Sequence, residues 1–204
     1  MRYGENPHQK AFFKGDLDNV FQKLNGKNLS YNNLLDIDSA IKLISEFPSV
    51  TFAIIKHNNA CGIASCSTVL TSYKKALESD PLSAFGGVLI TNHKVDVDTA
   101  SEINNLFFEI LIAPDYDEES LKILKSKKNR ILLKLKETNF DSRSSKKVLG
   151  GYLNQDFDIA ENKIKNWKVV TQKTPSSENY EDLQFANKIV KHSKSNAIVL
   201  VKNS

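Results

Sequence analysis

An α/β fold with a mostly parallel sheet covered on both faces is predicted by two observations. Apolar residues switch repeatedly between helical spacing and short runs, and those runs are continuous rather than alternating, as strands buried on both sides require. Composition agrees. Of 204 residues, 40% are apolar and 25% charged, which excludes a disordered or fibrous chain and leaves room for one domain or about one and a half.

The elements follow in order. Ile37, Ala40, Ile41 and Ile44 recur at helical spacing after Asp36, which is read as the cap, and the block 51–55 (TFAII) reads as a buried strand. The pattern repeats as helix 67–77 with strand 87–91, then as helix 97–107 with strand Ile110–Ala113, closed by Pro114. A last round pairs helix 118–124 with strand Ile131–Leu135. The stretch 136–147 (KETNFDSRSSKK) is nearly free of apolar residues and reads as a linker or long loop. Beyond it come strand patterns at 148–153, 167–171 (WKVVT) and 197–201 (AIVLV). Between the last two lies a helix whose apolar face is Leu183, Phe185, Ala186, Ile189 and Val190. The division expected is a first unit over residues 1–141 and an incomplete second over 142–204.

Several function classes drop out. No window reaches the ~18 apolar residues of a spanning helix, and the N-terminus MRYGENPHQK has no signal-like stretch, so a cytoplasmic chain without membrane partners is expected. Cys61 and Cys66 are too few for a disulfide framework. Lys and Arg number 28 against 24 Asp and Glu, a mild basic excess. Its densest run, 122–130 (KILKSKKNR), carries no aromatic residue; it reads as a solvated helix end and loop, and no nucleic-acid partner is expected.

Four segments concentrate reactive side chains. Residues 2–9 (RYGENPHQ) offer a guanidinium and a phenol suited to phosphate, or else an unstructured terminus. Residues 56–62 (KHNNACG) begin where the 51–55 strand ends, the place where parallel sheets hold ligands. A cationic neighbour and partial burial would keep His57 a neutral base there. Alternatively, Lys56 is a solvated strand end and His57 a capping group. Residues 83–87 (SAFGG) permit close ligand approach to backbone, or form only a tight turn. Lys194, Ser195 and Asn196 could orient a ligand or merely end a helix. No metal is expected. Asn59 stands where a zinc deaminase needs Glu, and the two cysteines lack C-x-x-C spacing. Neither a P-loop nor G-x-G-x-x-G occurs.

Taken together and in order, RYGENPHQ, LNGKNLSYNNLLD, KHNNACG, DPLSAFGG, EILIAP, LGGYLNQ, DLQFA and KHSKSNAIVL resemble the formyltransferase part of the AICAR transformylase/IMP cyclohydrolase family, from Arg2 to Lys202. The resemblance implies a cytidine-deaminase-like fold without zinc, and a homodimer with active sites at the subunit interface. It implies formyl transfer from 10-formyltetrahydrofolate to the 5-amino group of AICAR in purine synthesis. By matching motif, Arg2 and Tyr3 would hold the nucleotide and its phosphate. Asn33, Phe85, Gly86 and Glu109 would line the AICAR pocket, Lys56 and His57 would form the catalytic pair, and Asn196 would orient substrate. Two departures stand out: Ala60 replaces a Pro common in bacterial members, and the chain stops at Ser204 before the family's glycine-rich segment. A fragment or one piece of a split protein is therefore expected, inactive alone or serving as a non-catalytic partner that only binds AICAR.

Overall fold

The computed structural model describes residues 1–136, 143–160 and 163–204. The division expected at residue 141 and part of the 136–147 linker lie outside the described residues. The elements run β1 (Phe21–Asn25), α1 (Tyr31–Ile44), β2 (Thr51–Lys56), β3 (Asn59–Ser65), α2 (Val69–Ser79), α3 (Pro81–Ala84) and β4 (Val88–Thr91). They continue with α4 (Val97–Ile103), β5 (Ile110–Ala113), α5 (Glu118–Lys125), β6 (Ile131–Leu135), β7 (Arg143–Val148), β8 (Gly151–Asp156) and α6 (Ser177–Lys191).

Six strands form one mixed sheet in the order β1-β6-β5-β4-β2-β3, with β7 and β8 a separate hairpin. Only β4-β5 and β5-β6 are parallel pairs; β2 runs antiparallel to both of its neighbours, and β1 antiparallel to β6. The expected mostly parallel sheet is thus corrected to a mixed one. The physical cause is local. His57 and Asn58 both take left-handed backbone (φ 52° and 64°), the conformation of a two-residue hairpin turn, so the chain doubles back from β2 into β3 instead of crossing over.

Both faces are covered, and alternation within each strand decides which layer receives which side chain. Ala53, Ile55, Val88, Ile90, Ile110, Ile112, Ile131 and Leu133 point toward α1 and α6. Phe52, Ile54, Leu89, Leu111, Ala113 and Leu132 join the residues of α2, α4 and α5. A strand sandwiched between two helical layers has no solvent face, which is why these runs are apolar throughout.

Helix starts depart from expectation where a cap was misassigned. The cap of α1 is Ser30, whose hydroxyl accepts from the Asn33 N–H while the Asn33 side chain accepts from the Ser30 N–H. Asp36 therefore lies inside the helix. Residues 143–147, read as linker, form most of β7. The 167–171 and 197–201 patterns form no strand. Val199 and Val201 touch the core while Ile198 and Leu200 are exposed, so the second segment alternates as a strand would but lacks a paired neighbour. The basic run is also corrected at its last residue. Arg130 is buried, stacked 4.2 Å from the centre of the Phe108 ring, and donates to Asn104 Oδ1 at 2.8 Å.

Candidate functional site

The antiparallel course of β2 brings its carboxyl end to the same edge of the sheet as the amino ends of β4, β5 and β6. The pairings Ile55↔Val88, Val88↔Ile110 and Ile110↔Ile131 fix this. The cluster therefore forms at the amino ends of the parallel strands, not beyond their carboxyl ends as expected. Lys56 closes β2, the Phe85–Gly86 turn precedes β4, Glu109 precedes β5, and the amino end of α1 joins them.

The N-terminal segment is tied down rather than loose. The Arg2 N–H donates to Leu29 O at 2.9 Å and the Tyr31 N–H to Tyr3 O at 3.1 Å, which seats residues 2–3 against the start of α1. The Arg2 guanidinium lies 4.6 Å from the centre of the Tyr3 ring and its Nη2 donates to the Tyr3 hydroxyl at 2.9 Å. Arg2 remains exposed, with most of its donors open to an anion.

Glu109 is the hub of the pocket floor. Its Oε1 accepts from Lys27 Nζ at 2.9 Å and its Oε2 from the buried Asn33 Nδ2 at 3.1 Å. Burial alone would raise its pKa. The Lys27 and Asn33 hydrogen bonds, with the Lys27 and Arg2 charges, overcome that and hold the carboxyl below the ordinary glutamate range. Lys27 follows Gly26, whose positive φ of 99° and near contact with Arg130 O leave no room for a Cβ.

Lys56 donates to Phe85 O at 2.7 Å, which binds the end of β2 to the double-glycine turn. That turn is itself held by the Gly86 N–H donating to Phe107 O at 2.8 Å, and the Phe85 and Phe107 rings meet at 4.9 Å with both more than half exposed. The turn thus presents an aromatic pair to solvent. His57 is exposed, so the burial expected to help keep it neutral is absent.

The remaining contacts come from elsewhere in the chain. The Lys194 N–H donates to Asn59 Oδ1, and Lys194 Nζ to Asn58 Oδ1, both at 3.0 Å, which brings the 194–196 segment to the His57 turn. The predicted residues do not share one cleft. Glu109 lines a cleft of 540 Å³ with Lys27 and Phe107, whereas Asn196 lines one of 950 Å³ along β3. A third, of 1150 Å³, lies between Lys42, Phe157, Lys191 and His192, away from these residues.

Lys27, Asp36, Phe107 and Lys194 join the cluster without having been assigned a role from sequence. Lys27 had a signal in its place just after a glycine at a strand end. Asp36 was hidden by its reading as a cap. Among the described residues no group of three or more His, Cys, Asp or Glu gathers as a metal site would need. Both cysteines are free thiols; burial, with Asp80 nearby, pushes Cys61 up, away from the reactive thiolate. An open guanidinium and the ion-paired Lys27–Glu109 group, with Lys56 and the exposed His57 at the same sheet edge, suit an anionic ligand with a polar, proton-bearing centre.

Comparison with known proteins agrees with that chemistry. The family model described as the AICARFT/IMPCHase bienzyme matches residues 1–204. The chain is 56% identical over 202 residues to the bifunctional purine biosynthesis protein PurH of Bacteroides thetaiotaomicron, covering 99% of this chain and 40% of that protein. It is 49% identical to PurH of Aquifex aeolicus over 211 residues, covering 100% of this chain and 41% of that one. The chain thus spans about two fifths of the length of these relatives. No helix among the described residues is long and apolar enough to cross a membrane. The match over residues 1–204 and these identities show that the chain belongs to the AICARFT/IMPCHase family of bifunctional purine biosynthesis enzymes.

Proposed function

We propose that this chain carries the formyltransferase part of the family's chemistry: transfer of the formyl group of 10-formyltetrahydrofolate to the 5-amino group of AICAR, giving FAICAR. The supporting observation is the Lys56 to Phe85 O bond. That bond ties Lys56, next to His57 in the chain, to the Gly86 turn, at the same sheet edge as the Glu109–Asn33–Lys27 group and the Arg2–Tyr3 pair.

The roles follow from the groups. Arg2 and Tyr3 hold the nucleotide phosphate. Asn33 and Glu109 meet the polar edge of the heterocycle, and Phe85 and Gly86 offer an aromatic face and an unobstructed backbone. The AICAR amine is a weak nucleophile because its lone pair is delocalised into the ring and carboxamide. As its nitrogen attacks the formyl carbon, His57 takes the amine proton, which supplies about 10² to 10⁴ in rate. The Lys56 ammonium stabilises the oxyanion. The bond from that carbon to N10 then breaks, and N10 leaves with the proton that His57 took from the amine, which returns the imidazole to its neutral form. Asn196 orients substrate from the 194–196 segment.

Residues 1–141 then constitute a deaminase-like first subdomain and 142–204 the beginning of a second. The longer protein acts in the cytoplasm as a homodimer, and residues beyond this chain supply the folate contacts. The 204-residue chain alone turns over little or nothing. The test replaces Lys56 or His57 with Ala in a full-length relative carrying this segment and follows formyl transfer from 10-formyltetrahydrofolate. Each change is expected to lower kcat by at least about 10²-fold; near-normal kcat in both removes the pair from the mechanism.

A further inference from the structure

We infer that Asp36 and Lys194 are positioning residues that clamp the His57–Asn58 turn from two separate segments and so fix where Lys56 and His57 stand. This inference rests on the formyl-transfer reading only for its consequence in catalysis; the clamp itself is a matter of geometry.

Two consecutive non-glycine residues at positive φ, 52° and 64°, carry a conformational cost that bonds to the turn offset. Lys56↔Asn59 and Ile55↔Ala60 pair across the turn, and the register then shifts between Ile54 and Ile55, so only two regular pairs separate the tip from a bulge. The tip is held by bonds from elsewhere. The Asn58 N–H donates to Asp36 Oδ1 at 2.8 Å, in the middle of α1. From the segment after α6, Lys194 Nζ donates to Asn58 Oδ1 and the Lys194 N–H to Asn59 Oδ1, both at 3.0 Å. Asn59 Nδ2 closes the turn by donating to His57 O at 3.0 Å.

Asp36 is half-buried, a costly place for a carboxylate in a helix that packs on the sheet. Burial pushes its carboxyl up, while the Asn58 N–H and the charges of His57 and Lys194 pull it down and Glu109 opposes them. A helix position spent on such a group is explained by what its oxygen holds. Lys194 precedes Asn196 by two residues, so the same clamp couples the placement of the substrate-orienting amide to that of the imidazole.

The experiment uses the 204-residue chain and a full-length relative carrying it, with Asp36→Ala, Asp36→Asn and Lys194→Met. In the chain, hydrogen exchange at the Asn58 amide is read by NMR, with the Leu111 amide as a core reference. Asp36→Ala is expected to speed Asn58 exchange by about tenfold, the loss of one hydrogen bond, without changing Leu111. Asp36→Asn, whose amide oxygen still accepts, stays within about threefold of the parent. Lys194→Met, at an exposed residue, is expected to speed Asn58 exchange while the fold is kept, so the clamp is tested even if Asp36→Ala does not fold. In the full-length protein, Asp36→Ala is expected to lower kcat about tenfold with KM for AICAR within about threefold, and Asp36→Asn to restore most of it.

Unchanged Asn58 exchange in both Asp36→Ala and Lys194→Met overturns the clamp. Faster exchange with unaltered kcat overturns the positioning role. Exchange is read without substrate, so normal turnover in Lys56→Ala and His57→Ala would sink the functional reading alone.

Discussion

Gly62 offers the sharpest link between sequence and packing, because it lies in β3, the strand that carries the hairpin of the candidate site back across α2. A Cβ built there would stand 1.9 Å from Ala76 O and 2.9 Å from Ala76 C, against a floor near 3.0 Å for real Cβ contacts. The obstacle is helix backbone, which cannot rotate away as a side chain can. Accommodating Gly62→Ala requires α2 and β3 to part by about 1 Å, which loosens Tyr73 and Ala76 from the buried layer they share with Phe52 and Ala64. Overpacking costs about 1 to 3 kcal/mol, and a backbone obstacle puts this change at the upper end or beyond. At about 3 kcal/mol, a chain of this size loses roughly 6 to 12 °C in Tm. Gly151→Ala serves as control, since its added Cβ meets nothing nearer than Val148 O at 3.9 Å. Thermal and urea unfolding followed by circular dichroism measures both. A Gly62→Ala variant within about 1 kcal/mol of the parent would refute the close approach of β3 to α2.

Two further consequences concern the seam between α1 and α6. Glu46 accepts from Lys191 at 2.8 Å and from His192 at 2.9 Å; burial would raise its pKa, but these partners hold it below the ordinary value of 4.5. A depressed carboxylate stabilises the fold above the unfolded value and loses that contribution as pH falls through the folded one. Glu46→Gln should therefore cost about 1 kcal/mol at neutral pH, and its deficit in urea unfolding should shrink as pH falls below the ordinary glutamate value of 4.5. Phe185 packs on Phe47 with ring centres 5.0 Å apart, both buried. Phe185→Ala should cost about 3 kcal/mol, and limited proteolysis should cut α6 before the sheet.

Much of the fold was legible because doubly covered strands leave an unmistakable apolar run. Ile110–Ala113 and Ile131–Leu135 were delimited to the residue, and all four helix–strand rounds formed. What escaped depended on backbone conformation rather than polarity. The β2–β3 hairpin turns on His57 and Asn58, neither a glycine, so no turn signal marked it, and the strand direction followed the wrong rule. The α1 cap was missed because Ser30 precedes Tyr31-Asn32-Asn33, a polar start that carries no helical period. The 197–201 block has strand composition but no paired neighbour, and composition cannot supply one. At the site, the motif residues were visible one by one. Their partners Lys27, Asp36 and Lys194 were not, because ion pairs and clamps join residues as far apart as Asn58 and Lys194.

In the proposed function, the N-terminal arginine, α1, the β2 turn, the double-glycine turn and Glu109, which share a sheet edge but not one cleft, meet a single ligand. This is tested most directly by titrating the ¹⁵N-labelled chain with AICAR and mapping amide shifts. Saturable changes at Arg2, Asn33, His57, Gly86 and Glu109 together are the expected result. Saturable changes confined to the cleft between Lys42, Phe157 and Lys191, with those five amides unmoved, would contradict it.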